Sequence, residues 1–385
     1  MALAVYRTQG ICAGTGGSVL KTTETQSVAD SPIHASDLEE IIRKIFNAAG
    51  SDDSEAAIVA NHLVEANLAG HDSHGVIRTA AYLDCVKKGA VLPNRHAQVT
   101  SDRGNILSID GEFGYGQVIA RESMEIAIER AKREGLVILS IVNAGHLGRI
   151  GAWAEQLAGA GLVSLHFVNT SGHGILVAPH GGRDRRLSTN PIAAGAPMPG
   201  QSPMILDIAT SVIAEGKIMV ARDRGDTLPE ACFVDADGNP SRDPNAFYAD
   251  PPGAILPFGG HKGFGIAVFC EILAGSLTGG ASSHPSNETA TRMVNNMMTI
   301  ALDPDAFAGS AFFQADISRL VGWIKSSRPS VSGGQVLAPG ELETRVRQDR
   351  SNGGIPLDQK TIEMLRERTG SFGISHPSLF SENNK

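Results

Sequence analysis

Residues 136–168 read LVILSIVNAGHLGRIGAWAEQLAGAGLVSLHFV. An apolar run, LVILSIV (136–142), is followed by the glycine-punctuated loop NAGHLGRIG (143–151), the helical stretch AWAEQLAGA (152–160) and a second apolar run, LVSLHFV (162–168). Short apolar runs bounded by turn residues read as strands, and a helix between two of them is the crossover of a parallel pair, so the segment predicts one βαβ unit of an α/β fold. Such units bind ligands beyond the carboxyl ends of their strands, which places His146 where chemistry is expected.

The same alternation starts at ILSID (106–110), passes through the helix QVIARESMEIAIERAKRE (117–134), and continues past 168 as the short apolar stretches IAAGAP (192–197) and MILDIA (204–209). A helix follows through EGKIMVARD (215–223), then a Pro- and Asp-rich passage at 227–253 that reads as a long surface loop. PFGGHKGFG (257–265) opens the apolar helix IAVFCEILAGSL (266–277), and the strand NMMTIAL (296–302) precedes a helical tail. Before all of this the chain is helical. Ser36 is a good N-cap ahead of Leu38, Ile41, Ile42, Ile45 and Phe46 at helical spacing; a second helix spans about Asp53 to Leu68, closed by Gly70, and a third about Val76 to Lys88, closed by Gly89. Residues 1–35, rich in Ser, Thr, Gly and Ala, read as a flexible leader.

The 385 residues, 42% hydrophobic, can bury a sizeable core and divide into subdomains. Forty-one acidic against 33 basic residues argue against nucleic acid or an anionic membrane as partner. Four scattered cysteines suggest neither a disulfide framework nor a metal site, and no apolar run reaches the roughly 18–20 residues of a membrane span, so a cytoplasmic enzyme is expected. There is no Walker A loop, HExxH or GxSxG elbow, and no GxGxxG, so kinase, zinc-protease, serine-hydrolase and standard Rossmann readings lose their usual support.

Several clusters carry chemistry. His71, Asp72, Ser73 and His74 follow a helix end, where two imidazoles, a carboxylate and a hydroxyl suit proton transfer; a solvated polar turn is the plainer reading. Arg78, four residues after His74, sits on the same face of the expected third helix and can clamp a carboxylate, or form an ordinary surface ion pair. Gly145, Gly148 and Gly151 around His146 let backbone approach a ligand. Asp207, ending a buried strand, can orient a histidine or accept from an amide, or simply cap a helix beginning near Thr210. His261 and Lys262, among glycines at a helix start, suit phosphate or ribose, or a solvated turn. Arg183, Arg185 and Arg186 can accept a 2′-phosphate or simply face water.

Taken together and in order, AGHDSHGV (69–76), NAGHLGRIGAWAEQ (143–156), STNPIAAGAP (188–197), LDIATS (206–211) with EGKI (215–218), GGHKGFG (259–265) and APGELETR (338–345) resemble the malate/L-lactate dehydrogenase family that is unrelated to Rossmann lactate dehydrogenases. AEQLAGAGLVSLHFV, PHGGRDRR, CEILAGSLTGG and GIPLD are similar to its hydroxycarboxylate dehydrogenase B branch. The resemblance implies an α/β fold with an unusual non-Rossmann dinucleotide-binding domain at 116–308, a mainly helical domain built from both chain ends (36–115 with 309–385), and a homodimer. It implies NAD or NADP as cofactor, with His146 and His74 as proton-transfer candidates, Ser73 and Asp207 in the relay or against the nicotinamide, and Arg78 in the family's SHGxxR pattern. Cofactor contacts implied in the same way fall on His74, on Gly148, Arg149 and Ile150, on Ile205, Leu206, Asp207, Ile208 and Ala209, on His261 beside Lys262, on Asn295, and on Gly340, Glu341, Leu342 and Glu343. The expected reaction interconverts a 2-oxo and a 2-hydroxy acid. A cyclic-imine reductase and a nicotinamide-binding protein without turnover are the alternatives.

Overall fold

The structure is a computed structural model that describes residues 32–287 and 292–380. Most of the expected leader, 1–31, lies outside the described residues. Ile33, within the expected leader 1–35, is buried and exchanges backbone hydrogen bonds of 3.1 and 2.8 Å with Ile355, so this part of the expected leader is tied to the C-terminal part of the chain.

Helix α1 (Ala35–Ala48) buries Leu38, Ile41, Ile42, Ile45 and Phe46. It begins one residue before Ser36, so the capping residue is His34 and Ser36 lies inside the helix. Helix α2 (Asp53–Leu68) has the expected limits, because both ends are local signals: Asp52 accepts from Glu55 N at 2.8 Å, and Gly70 takes a left-handed φ of 83° just past the last turn. The expected third helix is interrupted. Residues Asp72–His74 and Val76–Arg78 form two separate 3₁₀ turns, and α3 starts only at Thr79, running to Lys87. Asn67 of α2 causes the break: its Oδ1 accepts from Val76 N at 2.9 Å and its Nδ2 donates to Asp72 Oδ1 at 2.6 Å. A Cβ on Gly75 would lie 2.1 Å from that Oδ1, so only glycine fits between the turns.

Strands β1 (Gln98–Asp102) and β2 (Ile106–Asp110), helix α4 (Gly116–Glu134), β3 (Leu136–Ala144), α5 (Gly151–Gly159), β4 (Val163–Gly172), β5 (Ile192–Ala196) and β6 (Met204–Ile208) follow in order. They build a seven-stranded sheet in the order β1-β2-β3-β10-β4-β5-β6, where β10 is Met293–Leu302. Segment 136–168 does form strand, helix and strand, but its two strands are not neighbours. Strand β10 lies between β3 and β4, antiparallel to both, so the parallel pairing expected for this segment is found instead between β2 and β3. Pairing across more than a hundred residues is set by which apolar faces meet, and no local pattern encodes it.

Helix α6 (Glu215–Arg224) leads into the passage expected as surface loop. That expectation is corrected: β7 (Phe233–Val234), β8 (Pro240–Ser241), helix α7 (Pro244–Phe247) and β9 (Ala254–Ile255) form a small sheet around fully buried Phe233 and Phe247. Two aromatics sufficed to anchor a stretch whose prolines and aspartates read as polar turn. Helix α8 (His261–Cys270) follows, and α9 (Ser310–Lys325), α10 (Glu341–Gly353) and α11 (Gln359–Ser371) form the tail. The core separates accordingly. Residues of α1, α2 and α3 pack with Ile355, Leu357, Ile362 and Leu365 from the chain's other end, while β2, β3, α4, α5 and β10 share a second cluster. No helix among the described residues is long and apolar enough to cross a membrane.

Candidate active site

The turn between α2 and α3 meets the carboxyl end of β3. There His74 and His146 stack, ring centroids 5.7 Å apart and planes 18° from parallel. Ser73 Oγ lies 3.1 Å from His74 Nδ1, and Arg78 Nε donates to the Ser73 carbonyl at 2.6 Å. Arg78 is therefore beside both rings, although by a fold of the two 3₁₀ turns rather than by the helical spacing expected for it. The four-residue cluster splits by role. His71 and Asp72 point to α10, where His71 Nε2 is 3.6 Å from Glu343 and Asp72 pairs with Arg350 at 2.6 Å, leaving Ser73 and His74 on the histidine side.

Both rings are held neutral. Burial pushes His146 down to about 3, with the positive charge of Arg78 and then His62 adding to the effect. His74 is pushed well below its ordinary value by burial first, then by His146 and Arg78. Behind His146 stands a residue the sequence did not single out. The Tyr82 hydroxyl is 2.6 Å from His146 Nδ1 and accepts from Gln117 Nε2 at 2.9 Å. Tyr82 follows Arg78 by four residues on α3, the one signal that could have pointed to it, but a tyrosine on an apolar helix face reads as core.

The loop after His146 is fixed by side chains from four elements. Asn295 Oδ1 accepts from Leu147 N at 3.0 Å, Trp153 Nε1 donates to Leu147 O at 3.2 Å, His62 Nε2 accepts from Arg149 N at 3.0 Å, and Asp207 Oδ2 accepts from Gly151 N at 2.9 Å. Gly148 has φ 73°, and a Cβ there would come within 2.1 Å of His62 Nε2, so glycine is required at this turn. Asp207 thus caps α5 across space rather than a helix near Thr210; burial raises its pKa, opposed by His71 and Arg149. Asn295 has both ends engaged, since its Nδ2 donates to Thr170 Oγ1 at 3.0 Å; its visible work is to place the loop.

Arg149 is 2% exposed and pairs with Glu155 at 2.5 Å, yet its Nε and Nη1 have no hydrogen-bond partner among the described residues. A buried guanidinium with unmet donors is a place for an anionic or carbonyl ligand and could meet the phosphate or amide groups of a dinucleotide. Ile205 N donates to Pro339 O at 3.2 Å, which seats the 338–340 loop, and hence Gly340–Glu343 at the start of α10, against β6. β6 therefore touches the 148–151 loop through Asp207 and the 338–340 loop through Ile205. His261 and Lys262 stand exposed at the start of α8, where His261 has His180 as ring neighbour at 6.0 Å. Of the arginines at 183–186, Arg185 donates to Gly253 O and Phe247 O at 2.7 and 2.8 Å and so braces the small sheet, which takes it out of the 2′-phosphate reading. Arg183 and Arg186 are exposed, Arg186 beside Asp184 at 2.8 Å.

The chain is similar to known proteins in sequence and in fold. The profile of the family described as malate/L-lactate dehydrogenase matches residues 33–366. Hydroxycarboxylate dehydrogenase B of Escherichia coli strain K12 is 38% identical over 347 residues, covering 90% of this chain and 95% of that protein. Among solved structures, malate dehydrogenase from Pyrococcus horikoshii superposes with a TM-score of 0.80 at 32% identity, over 89% of this chain and 96% of that one. The Δ1-piperideine-2-carboxylate reductase of Pseudomonas syringae superposes at 0.76 and 31% identity, over 88% and 99%.

Proposed function

The chain belongs to the malate/L-lactate dehydrogenase family, and from that premise we propose that it interconverts a small 2-oxo acid and the matching 2-hydroxy acid with NAD or NADP as hydride carrier. The observation that carries this reading is the pair of neutral, stacked histidines beside Arg78, with one ring tied at its far nitrogen to Tyr82. Gly148–Ile150, Ile205–Ala209 and Gly340–Glu343 would hold the dinucleotide, with His74, His261, Lys262 and Asn295 as further contacts; the unmet donors of Arg149 support that placement. When bound, the reduced nicotinamide supplies the hydride that arrives at C2.

The remaining work falls to side chains. Arg78 takes the substrate carboxylate, and His146 gives a proton to the oxygen at C2, with His74 and Ser73 as the second choice. Arg78 also acts on the proton: in the empty site its charge adds to burial in keeping His146 unprotonated, and a bound carboxylate offsets that second cause and raises the ring's affinity for the proton it delivers. Oxidation of the hydroxy acid runs the same steps in reverse, with His146 accepting the proton.

The likeness to the piperideine-2-carboxylate reductase supports a second reading, reduction of a cyclic imine, in which a ring nitrogen takes the proton. Absorbance of NADH and NADPH with pyruvate, oxaloacetate, phenylpyruvate and piperideine-2-carboxylate separates the two. Oxidation with the oxo acids is expected, and its dependence on the phosphate gives the cofactor preference. Activity with the imine alone would transfer the chain to the second reading, and cofactor binding with no turnover would leave only a binding protein.

A homodimer is part of the proposal. On α9 only Val321 is buried, while Phe312, Leu320, Ile324 and Trp323, the last 78% exposed, form an apolar face of a size that single subunits rarely present to water. Light scattering is expected to give twice the mass of one chain at micromolar concentration; a single-chain mass would remove the dimer from the account.

A further inference from the structure

Behind His146 a buried chain of three side chains runs from α4 to the site: Gln117, Tyr82, His146, with links of 2.9 and 2.6 Å. Gln117 is 1% and Tyr82 6% exposed. Burial holds the Tyr82 hydroxyl up at about 12, so it keeps its single proton and can donate in only one direction at a time. The chain therefore has two senses. With the amide nitrogen of Gln117 toward Tyr82, the hydroxyl donates to His146 Nδ1 and the neutral ring carries its proton on Nε2. With the amide turned over, the hydroxyl donates to the amide oxygen, the phenolic oxygen accepts from Nδ1–H, and Nε2 is bare or, in the imidazolium, protonated.

These two senses are not equivalent for chemistry. Proton transfer at Nε2 between neutral ring and imidazolium keeps the proton on Nδ1 throughout, in both reaction directions. The other form has no lone pair to offer at Nε2, and giving up its proton would leave an imidazolate. One end of the amide decides between them. Its Oε1 is buried without a hydrogen-bond partner among the described residues, unlike Asn295 and Asn296, whose oxygens accept from Leu147 N and Asn143 N and whose nitrogens donate to Thr170 and Gly280. Turning the Gln117 amide over exchanges one unmet end for another, so no third group among the described residues sets the sense, and the end of the amide presented to Tyr82 does.

We infer that Gln117 is a positioning residue that fixes, through Tyr82, which nitrogen of His146 carries the proton, and that the working sense is the one with its amide oxygen turned to Tyr82. This rests on the reading of His146 as the proton-transfer group. The other charged or titratable groups facing the ring are His74, Arg78 and His62, with Cys85 near Tyr82; none of them bonds to Nδ1, so they shift the ring's affinity for a proton without choosing the nitrogen.

The test is nitrogen NMR of the full-length protein with ¹⁵N-labelled histidine, His146 being assigned by its loss in His146→Gln, combined with steady-state kinetics. Gln117→Leu and Gln117→Met remove both ends of the amide, and each is expected to hold the empty protein's His146 in the Nε2–H form and to lower kcat by about 10²-fold with little change in KM. Gln117→Glu, which as a carboxylate offers only acceptors, is expected to give the Nδ1–H form and to recover most of the rate. An unchanged His146 form across the variants, or equal loss of rate in all of them, would overturn the inference. The NMR result stands even if the wild-type protein reduces no oxo acid, so failure of the functional reading is told apart from failure of this one.

Discussion

His146→Gln is expected to lower kcat for oxo-acid reduction by about 10³-fold, within the range measured for removal of a general acid, while binding of the reduced cofactor changes by no more than about threefold. The glutamine side chain fills similar space and can still meet Tyr82, so the loop from Leu147 to Gly151, held by Asn295, Trp153, His62 and Asp207, keeps its shape. What is lost is the proton at the reacting oxygen. His74→Gln serves as the control, because its ring stacks on His146 and is backed by Ser73 instead of Tyr82. A smaller loss there supports the assignment. A larger loss in His74→Gln than in His146→Gln would exchange the roles of the two rings.

Arg78→Ala is expected to lower kcat/KM for a 2-oxo acid by at least about 10²-fold, mostly through KM, and Arg78→Lys to recover only part of it. Removing one partner of a buried charged pair costs about 2–5 kcal/mol, and a lysine cannot reproduce a planar two-point clamp on a carboxylate. Lysine also lacks the Nε–H that holds the Ser73 carbonyl at 2.6 Å. A pH effect separates this role from mere packing. Because the Arg78 charge is one cause of the depressed His146 pKa, its removal moves that pKa up from about 3, still below the ordinary 6.5 since burial is the larger cause. The pH below which the empty protein protonates His146 therefore rises in Arg78→Ala, and a titration of labelled histidine showing no rise would contradict the proximity on which the clamp depends.

What was legible in the sequence follows from how local each signal is. The limits of α2, about Asp53 to Leu68, were legible because they depend on residues within one turn of the helix ends: Gly70, which was read as the stop, and Asp52, the cap, which was not singled out. Strand, helix and strand at 136–168 were legible for the same reason, whereas the insertion of β10 between them was not, since it depends on a strand over a hundred residues away. The expected helix through Val76 failed because Asn67, not the local pattern, shapes the turn at Gly75. At the site, His74, Ser73, Arg78 and His146 were found as clusters of reactive types near glycines, and the structure brings these four together. Tyr82 and His62 were missed because each lies in a largely apolar helix and reads as core, and Gln117 because a glutamine in the first turn of a charged helix reads as surface; only their positions behind the loop give them roles. Arg185 erred in the other direction: an arginine beside glycines suggested phosphate, and it holds two carbonyls of its own chain.

The central claim is hydride transfer to C2 of a 2-oxo acid, and the most direct measurement uses NADH and NADPH deuterated at the transferring position of the nicotinamide, with NMR of the product formed from the oxo acid panel. The account predicts a 2-hydroxy acid carrying deuterium at C2, formed in step with cofactor oxidation. Cofactor oxidation without deuterium at C2, or no reduction of any 2-oxo acid, would contradict it.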